Sequence, residues 1–267
     1  MTDKYAVIGN PIAHSKSPQI HQAFAKQTNQ DISYEPILAP LNEFEVTVRR
    51  LIDDGYKGVN VTVPFKLQAF LLSDSLSPLA QSADAANTLI LDRNNIQGHN
   101  TDGIGLINDI TKNLGIALQG KRVLLLGAGG AAEGVFQPIL EQKPETLVVA
   151  NRTLDKAQKM VDKSPKKARA SSFGGLQGQF DIIINATSAG LSDTALPIPN
   201  TVFAKGCLAY EMMYGRETPF MKQARENGAH VADGLGMLVE QAAEAFYLWR
   251  GVRPKTAPVI AMLRSHN

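Results

Sequence analysis

Short apolar runs and longer stretches of helical periodicity take turns along this chain. YAVIG (5–9), GVNVTV (58–63), NTLIL (87–91), KRVLLL (121–126), TLVVAN (146–151), FDIIIN (180–185) and GCLAYEM (206–212) read as strands. Between them, SPQIHQAFAKQ (17–27), EFEVTVRRLID (43–53), GLINDITKNLG (105–115), AAEGVFQPILEQ (131–142) and DKAQKMVD (155–162) space their apolar residues along one face of a helix. Such alternation predicts an α/β protein with mostly parallel sheets and more than one domain. A helix runs out and a fresh strand begins within LGIALQGKR, 114–122, and a second break falls near Asp233–Leu238, before the helical stretch MLVEQAAEAFYLWRG. The glycine-rich unit therefore starts in mid-chain, and the last helix is expected to pack back on the N-terminal domain.

The strand KRVLLL runs straight into GAGGAAEGVFQPIL, a tight glycine turn opening a helix. Gly127, Gly129 and Ala132 fit the G-x-G-x-x-G/A spacing of a dinucleotide site. The first glycine permits the turn, and the second lets the backbone approach a pyrophosphate. The small third residue lets helix and strand pack closely, and the free amides of the helix start face the phosphates. After the next strand, where an acidic residue would hold the ribose hydroxyl of NAD, the chain has Asn151, Arg152 and Thr153, with Lys156 one turn on. A carboxylate would repel a 2′-phosphate, whereas a guanidinium pairs with it, so the pattern points to NADP. A third strand ends in NATSAG, whose Thr187 falls where small hydroxyl residues line such a crevice.

Lys66 sits where the strand GVNVTV has stopped at Pro64 and the apolar run LQAFLL begins. With Pro64 as the first helical residue, Lys66 lies in the first turn, where the helix dipole disfavours a positive charge. A poor position for stability is a sensible one for acid/base chemistry. Asp92-Arg93-Asn94-Asn95 is turn chemistry between TLIL and IQGH. Closing that hairpin brings Asn87 near Asn100, with Asp102 just beyond, at the start of a helix it can cap. Ser15 and Ser17 precede Pro18, and Ser17 is expected to cap the helix there. Hydroxyls and free amides at that helix start suit a substrate carboxylate. In the last helix Gln241 interrupts an apolar stripe of Leu238, Ala242, Ala245 and Trp249.

Composition narrows the class. A net charge of +2 makes no electrostatic case for nucleic acid or an anionic membrane, and basic clusters such as KSPKKAR (163–169) read as solvated surface. Cys207 is the only cysteine, so no intrachain disulfide forms, and it reads as a small buried hydrophobe. The histidines and the cysteine have no ligand spacing, so no metal is expected. No run approaches the ~18 apolar residues of a membrane span, and the N-terminus lacks a signal-peptide core. The expectation is a soluble cytoplasmic protein, monomer or homodimer, acting on a small molecule.

Taken in order, GNPIAHSKSPQIH, GVNVTVPFK, AANTL, HNTDGIG, LLGAGGAA, NRT, NATSAG, YEMMYG, TPF and DGLGMLVEQAA resemble the shikimate dehydrogenase family over nearly the whole chain. These are NADP-linked oxidoreductases of the aromatic amino-acid (chorismate) pathway. The resemblance implies a substrate-binding domain of residues 1–102 plus 237–267 and a Rossmann-type NADP domain of residues 103–236. It implies Lys66 and Asp102 as the catalytic pair. Ser15, Ser17, Thr62, Asn87, Tyr214 and Gln241 would contact the substrate. Gly127, Ala128, Gly129, Gly130, Ala131, Asn151, Arg152, Thr153, Lys156, Thr187, Met212 and Gly234 would contact NADP. Two departures are Glu211, where the family pattern has Asp, and Lys156, where arginine is frequent. A quinate/shikimate dehydrogenase using NAD, another dehydrogenase with a mid-chain dinucleotide unit, and a non-catalytic NADP-binding regulator are the competing readings.

Overall fold

A computed structural model of the protein describes residues 2–192 and 194–265; Met1, Asp193, His266 and Asn267, which fall within the expected domains, lie outside the described residues. The chain divides into two compact units, Met1–Gly105 with Leu238–Asn267, and Leu106–Met237.

The first unit is built on β1 (Asp3–Gly9), α1 (Ser17–Thr28), β2 (Ile32–Leu38), α2 (Phe44–Asp53), β3 (Tyr56–Val61), α3 (Lys66–Leu72), β4 (Ser75–Leu76), α4 (Pro78–Ala83), β5 (Thr88–Asp92) and β6 (Asn95–His99). Its sheet runs β2-β1-β3-β5-β6-β4. β2, β1 and β3 are parallel, and β5 runs antiparallel to both β3 and β6, forming the hairpin expected around Arg93-Asn94. Ile8, Val59, Phe65, Ala69 and Leu89 make the fully buried centre of one face.

Two local details differ from the sequence reading. Pro64 does not open α3. Val63–Phe65 form a turn closed by the Phe65 N–H donating to the Thr62 carbonyl at 3.0 Å, and Lys66 is the first helical residue. Phe65 anchors that turn, being wholly buried and stacked on Phe44 at 5.1 Å. Ser17 does not cap α1 but begins it; the oxygen that accepts its N–H is Ser15 Oγ, at 3.3 Å.

The second unit begins within α5 (Asp102–Asn108), which ends in a π-helical turn at Asp109–Asn113. Its elements are β7 (Arg122–Leu126), α6 (Gly130–Glu141), β8 (Thr146–Asn151), α7 (Leu154–Val161), β9 (Ala168–Ser172), β10 (Phe180–Asn185), β11 (Phe203–Glu211), α8 (Pro219–Glu226) and β12 (His230–Asp233). The sheet order is β12-β11-β10-β7-β8-β9, parallel throughout. This is the doubly wound order in which the chain crosses from one side of the first strand to the other, leaving a crevice at the carboxyl ends of β7 and β10. Along β7, Val123 and Leu125 enter one core cluster while Leu124 and Leu126 enter the other, so the strand is buried on both faces. Cys207, on β11, is buried in the second cluster, which pushes its thiol pKa up.

The chain returns to the first unit through α9 (Leu235–Arg250) and ends in α10 (Ala257–Ser265). Trp249 of α9 packs over β3 at Gly58 and donates its indole N–H to the Leu89 carbonyl at 3.0 Å. No helix among the described residues is long and apolar enough to cross a membrane.

Candidate active site

The first unit joins the two predicted catalytic residues directly. Lys66, at the start of α3, donates from Nζ to Asp102 Oδ2 at 2.5 Å. The lysine side chain is 27% exposed and the aspartate 11%, so the ammonium is reachable while its carboxylate is screened. Asp102 is the first residue of α5, and its carboxylate does not cap that helix. The Asp102 N–H is taken by Asn100 Oδ1 at 3.1 Å, and the two carboxylate oxygens are taken by Lys66 and Asn87.

Asp102 Oδ1 accepts from Asn87 Nδ2 at 2.8 Å, as the closed hairpin requires. Asn87 is held from every side. Its Nδ2 also reaches Thr101 Oγ1 at 3.0 Å and Gln241 Oε1 at 3.5 Å. Its Oδ1 accepts the Thr101 backbone N–H at 2.9 Å and the Thr88 hydroxyl at 3.0 Å. Gln241, from α9, therefore joins the lysine–aspartate cluster. Thr101, fully buried beside it and within reach of Gln241, escaped the sequence reading. Its only sequence signal was a polar position between a strand end and a helix start.

Ser15, Ser17 and Thr62 lie elsewhere on the same unit and make no hydrogen bond to the lysine–aspartate pair. Ser15 and Ser17 meet at the start of α1, and the Ser17 side chain adjoins the Tyr34 hydroxyl. Thr62 follows β3, with its N–H donating to the Ile8 carbonyl at 2.9 Å. Next to this group His21 is wholly buried, stacked on Tyr34 at 4.1 Å with a 7° angle between the rings. Neither ring nitrogen has a hydrogen-bond partner. Burial drives its pKa down to about 3, so the imidazole is neutral at working pH; the Asn60 amide opposes this weakly, falling short of hydrogen-bond geometry.

The second unit carries the dinucleotide residues at the carboxyl ends of its strands. Gly127, the residue after β7, has φ +108°, and a Cβ there would lie 3.1 Å from the Ala186 carbonyl oxygen and 3.3 Å from Thr187 Cγ2. Only glycine tolerates both the conformation and the approach. Ala128, Gly129, Gly130 and Ala131 continue the turn into α6, and beyond its adjoining stretch of chain no heavy atom lies within 4 Å of a Cβ built on Gly129 or Gly130. This bare, exposed backbone at a helix start fits a pyrophosphate. Asn151 Nδ2 closes the loop after β8 on the Thr153 carbonyl at 2.9 Å, leaving Arg152, Thr153 and Lys156 exposed. The cationic loop, without a carboxylate at its tip, fits a 2′-phosphate.

Glu211, the departure from the family pattern, has a structural role. It is buried and accepts from Asn185 Nδ2 at 2.7 Å, from the Thr218 hydroxyl at 2.8 Å and from the Met213 N–H at 3.1 Å. Burial raises its pKa, and the three donors oppose the rise. Asn185 Oδ1 in turn takes the Thr187 N–H and hydroxyl at 3.1 and 2.8 Å. Glu211 thus orders the loops that carry Thr187 and Met212. Gly234 is pressed against the Met212 backbone: a Cβ would fall 2.1 Å from its carbonyl oxygen. Tyr214 lies half-buried in the loop after β11, with its phenol pKa raised by burial.

A doubly wound sheet opening on a bare glycine turn, in one chain with a unit that presents a lysine–aspartate pair, defines a nicotinamide-dinucleotide-dependent dehydrogenase. Family models place it further. Residues 7–89 match the shikimate dehydrogenase substrate binding domain, residues 109–192 the shikimate / quinate 5-dehydrogenase family, and residues 234–264 the shikimate 5′-dehydrogenase C-terminal domain. A shikimate dehydrogenase (NADP(+)) of Methylobacillus flagellatus is 58% identical, covering 98% of this chain and 99% of its own. Among solved structures, an Ael1 enzyme from Pseudomonas putida is 50% identical with TM-score 0.95, covering 98% of each chain. The shikimate 5-dehydrogenase of Thermus thermophilus, in complex with NADP(H) and shikimate, is 31% identical with TM-score 0.86, covering 99% of each. The chain belongs to the shikimate dehydrogenase family.

Proposed function

We propose that this protein catalyses the reversible NADPH-dependent reduction of 3-dehydroshikimate to shikimate, a step of aromatic amino-acid biosynthesis. The observation that carries the mechanism is the 2.5 Å pairing of Lys66 Nζ with Asp102 Oδ2. When bound, the dinucleotide supplies hydride in reduction and accepts it in oxidation. The chain's own part is the proton. The Lys66 ammonium donates to the substrate carbonyl oxygen as alkoxide character develops there, and in oxidation the neutral amine takes the hydroxyl proton back. Asp102 holds Nζ through one oxygen and is itself held through the other by Asn87, so the donor is in place before substrate arrives.

Residues 1–102 with 237–267 serve as the substrate domain in this reading, and residues 103–236 as the NADP domain. Ser15, Ser17, Thr62 and Gln241 offer hydroxyls and an amide to the substrate's carboxylate and ring hydroxyls, with Asn87 and Tyr214 completing the set. Gly127 through Ala131 take the pyrophosphate, with Thr187, Met212 and Gly234 along the rest of the dinucleotide. Asn151, Arg152, Thr153 and Lys156 take the adenosine end, Arg152 as a planar fork on the 2′-phosphate and Lys156 as a point charge. The protein acts on small molecules in the cytoplasm, as a monomer or homodimer. Its lone Cys207 fits a reducing compartment.

Lys66→Ala tests the assignment. Turnover should fall by about 10²–10⁴-fold, as for loss of a general acid, while NADP binding is retained. A kcat near that of the unaltered protein would remove Lys66 from the mechanism.

A further inference from the structure

A line of buried polar groups crosses the first unit's sheet and ends on the catalytic carboxylate. The Tyr34 hydroxyl, on β2, donates to Asn60 Oδ1 on β3 at 2.8 Å. Asn60 Nδ2 donates to Thr88 Oγ1 on β5 at 3.0 Å, and the Thr88 hydroxyl donates to Asn87 Oδ1 at 3.0 Å. Asn87 Nδ2 then donates to Asp102 Oδ1 at 2.8 Å. All five side chains are buried, and Thr88 wholly so.

The direction of these bonds has one solution. The Thr101 backbone N–H, which can only donate, faces Asn87 Oδ1 at 2.9 Å, so the carbonyl end of that amide is fixed there and its NH₂ must face Asp102. Against a fixed carbonyl oxygen the Thr88 hydroxyl has to donate. It therefore turns a lone pair toward Asn60. Asn60 Nδ2 also lies 3.4 Å from the Asn87 carbonyl, another pure acceptor, which orients the Asn60 amide in the same sense. Its Oδ1 is then left to accept from Tyr34. Every bond points toward Asp102, and bonds aligned head to tail polarise one another in a low-dielectric interior.

We propose that Thr88 is a positioning residue for the reaction, acting through Asn87 on Asp102, with Tyr34 as the far end of the same line. The line moves no proton. It fixes the Asn87 amide and strengthens its hold on the carboxylate that aims Lys66. The proposal rests on the Lys66–Asp102 reading of the site.

The test is steady-state kinetics of shikimate oxidation with NADP⁺ on the full chain. Thr88→Val, close in shape but without the hydroxyl, should lower kcat by about 3–10-fold, the worth of one buried hydrogen bond, with KM for NADP⁺ unchanged. Thr88→Ser should restore most of the loss. Tyr34→Phe should lower kcat by about 2-fold, since it removes only the terminal donor. In an Asn87→Ala background, Thr88→Val should cost nothing further, because the link to Asp102 is already cut. A kcat for Thr88→Val equal to the parent's, or a loss of the same size with and without Asn87, would overturn the proposal. If Thr88→Val does not fold, Thr88→Ser and Tyr34→Phe decide: an unchanged kcat for Tyr34→Phe overturns it. Lys66→Ala separates the two levels, because high activity in that variant removes the site reading itself. An inactive Lys66→Ala beside an unaffected Thr88→Val removes only the line from Tyr34.

Discussion

His21 makes the fold acid-sensitive, and the size of the effect follows from its surroundings. Its imidazole has an ordinary pKa near 6.5 in the unfolded chain and about 3 when folded, because burial without a hydrogen-bond partner excludes the charged form. Between those values the unfolded chain binds a proton that the folded one refuses, so stability falls as pH drops through that window. At pH ~5, roughly 1.5 units below the ordinary value, the loss is about 2 kcal/mol, and it reaches about 4 kcal/mol at pH ~3. His21→Phe keeps an aromatic ring against Tyr34, at 4.1 Å in the native stack, and removes the titration. Urea denaturation followed by tryptophan fluorescence reads this locally. The single tryptophan, Trp249, lies 5.4 Å from the His21 ring in the same unit. The difference in stability between the two proteins should shift by about 2 kcal/mol in favour of His21→Phe on going from pH ~7.5 to pH ~5, all other titrating groups being common to both. A difference that stays constant over that range would mean that His21 does not titrate between the folded and unfolded states as its burial requires.

Other substitutions read other parts of the structure. Gly58→Ala places a methyl 2.3 Å from Trp249 Nε1, so the indole must leave its bond to Leu89. A cost of about 1–3 kcal/mol and a red-shifted tryptophan emission are expected, and an unchanged emission maximum would mean the indole had not moved. Arg152→Ala should raise KM for NADP⁺ by about 10-fold or more and leave KM for NAD⁺ nearly alone. Equal effects on both cofactors would place Arg152 away from the 2′-phosphate.

The central strands were legible because they are buried on both faces. β7 and β10 send successive side chains into two cores and so read as unbroken apolar runs. The edges were not. β9 is ARASS and β12 is HVAD, each paired on one side only, and β2 carries Pro36, which an edge strand tolerates. Short α4, and α8 and α10 near the ends of their units, also went unread, although α8 buries Phe220 and Ala224 one turn apart. At the site, Asn87 and Asp102 could be brought together from the hairpin alone, since Asp92-Arg93-Asn94-Asn95 fixes the register that sets Thr88 opposite His99. Tyr34, Asn60 and Thr88 could not. They come from three strands, and only the order β2-β1-β3-β5 shows that their polar groups meet. Their alternation with apolar neighbours looks the same as that of any strand with one wet face. The helix starts misread at Pro64 and Ser17 have a common cause. A proline marks where a helix can begin, but a buried neighbour such as Phe65, or a capping oxygen such as Ser15 Oγ, decides the residue.

The most direct measurement is the initial rate of reduced-nicotinamide formation with shikimate and NADP⁺, set beside quinate and beside NAD⁺ under the same conditions. Turnover with shikimate and NADP⁺ should stand well above every other pairing. Equal or greater efficiency with quinate and NAD⁺ would rule out the proposed activity, as would no turnover with any pairing in a protein that still binds NADP.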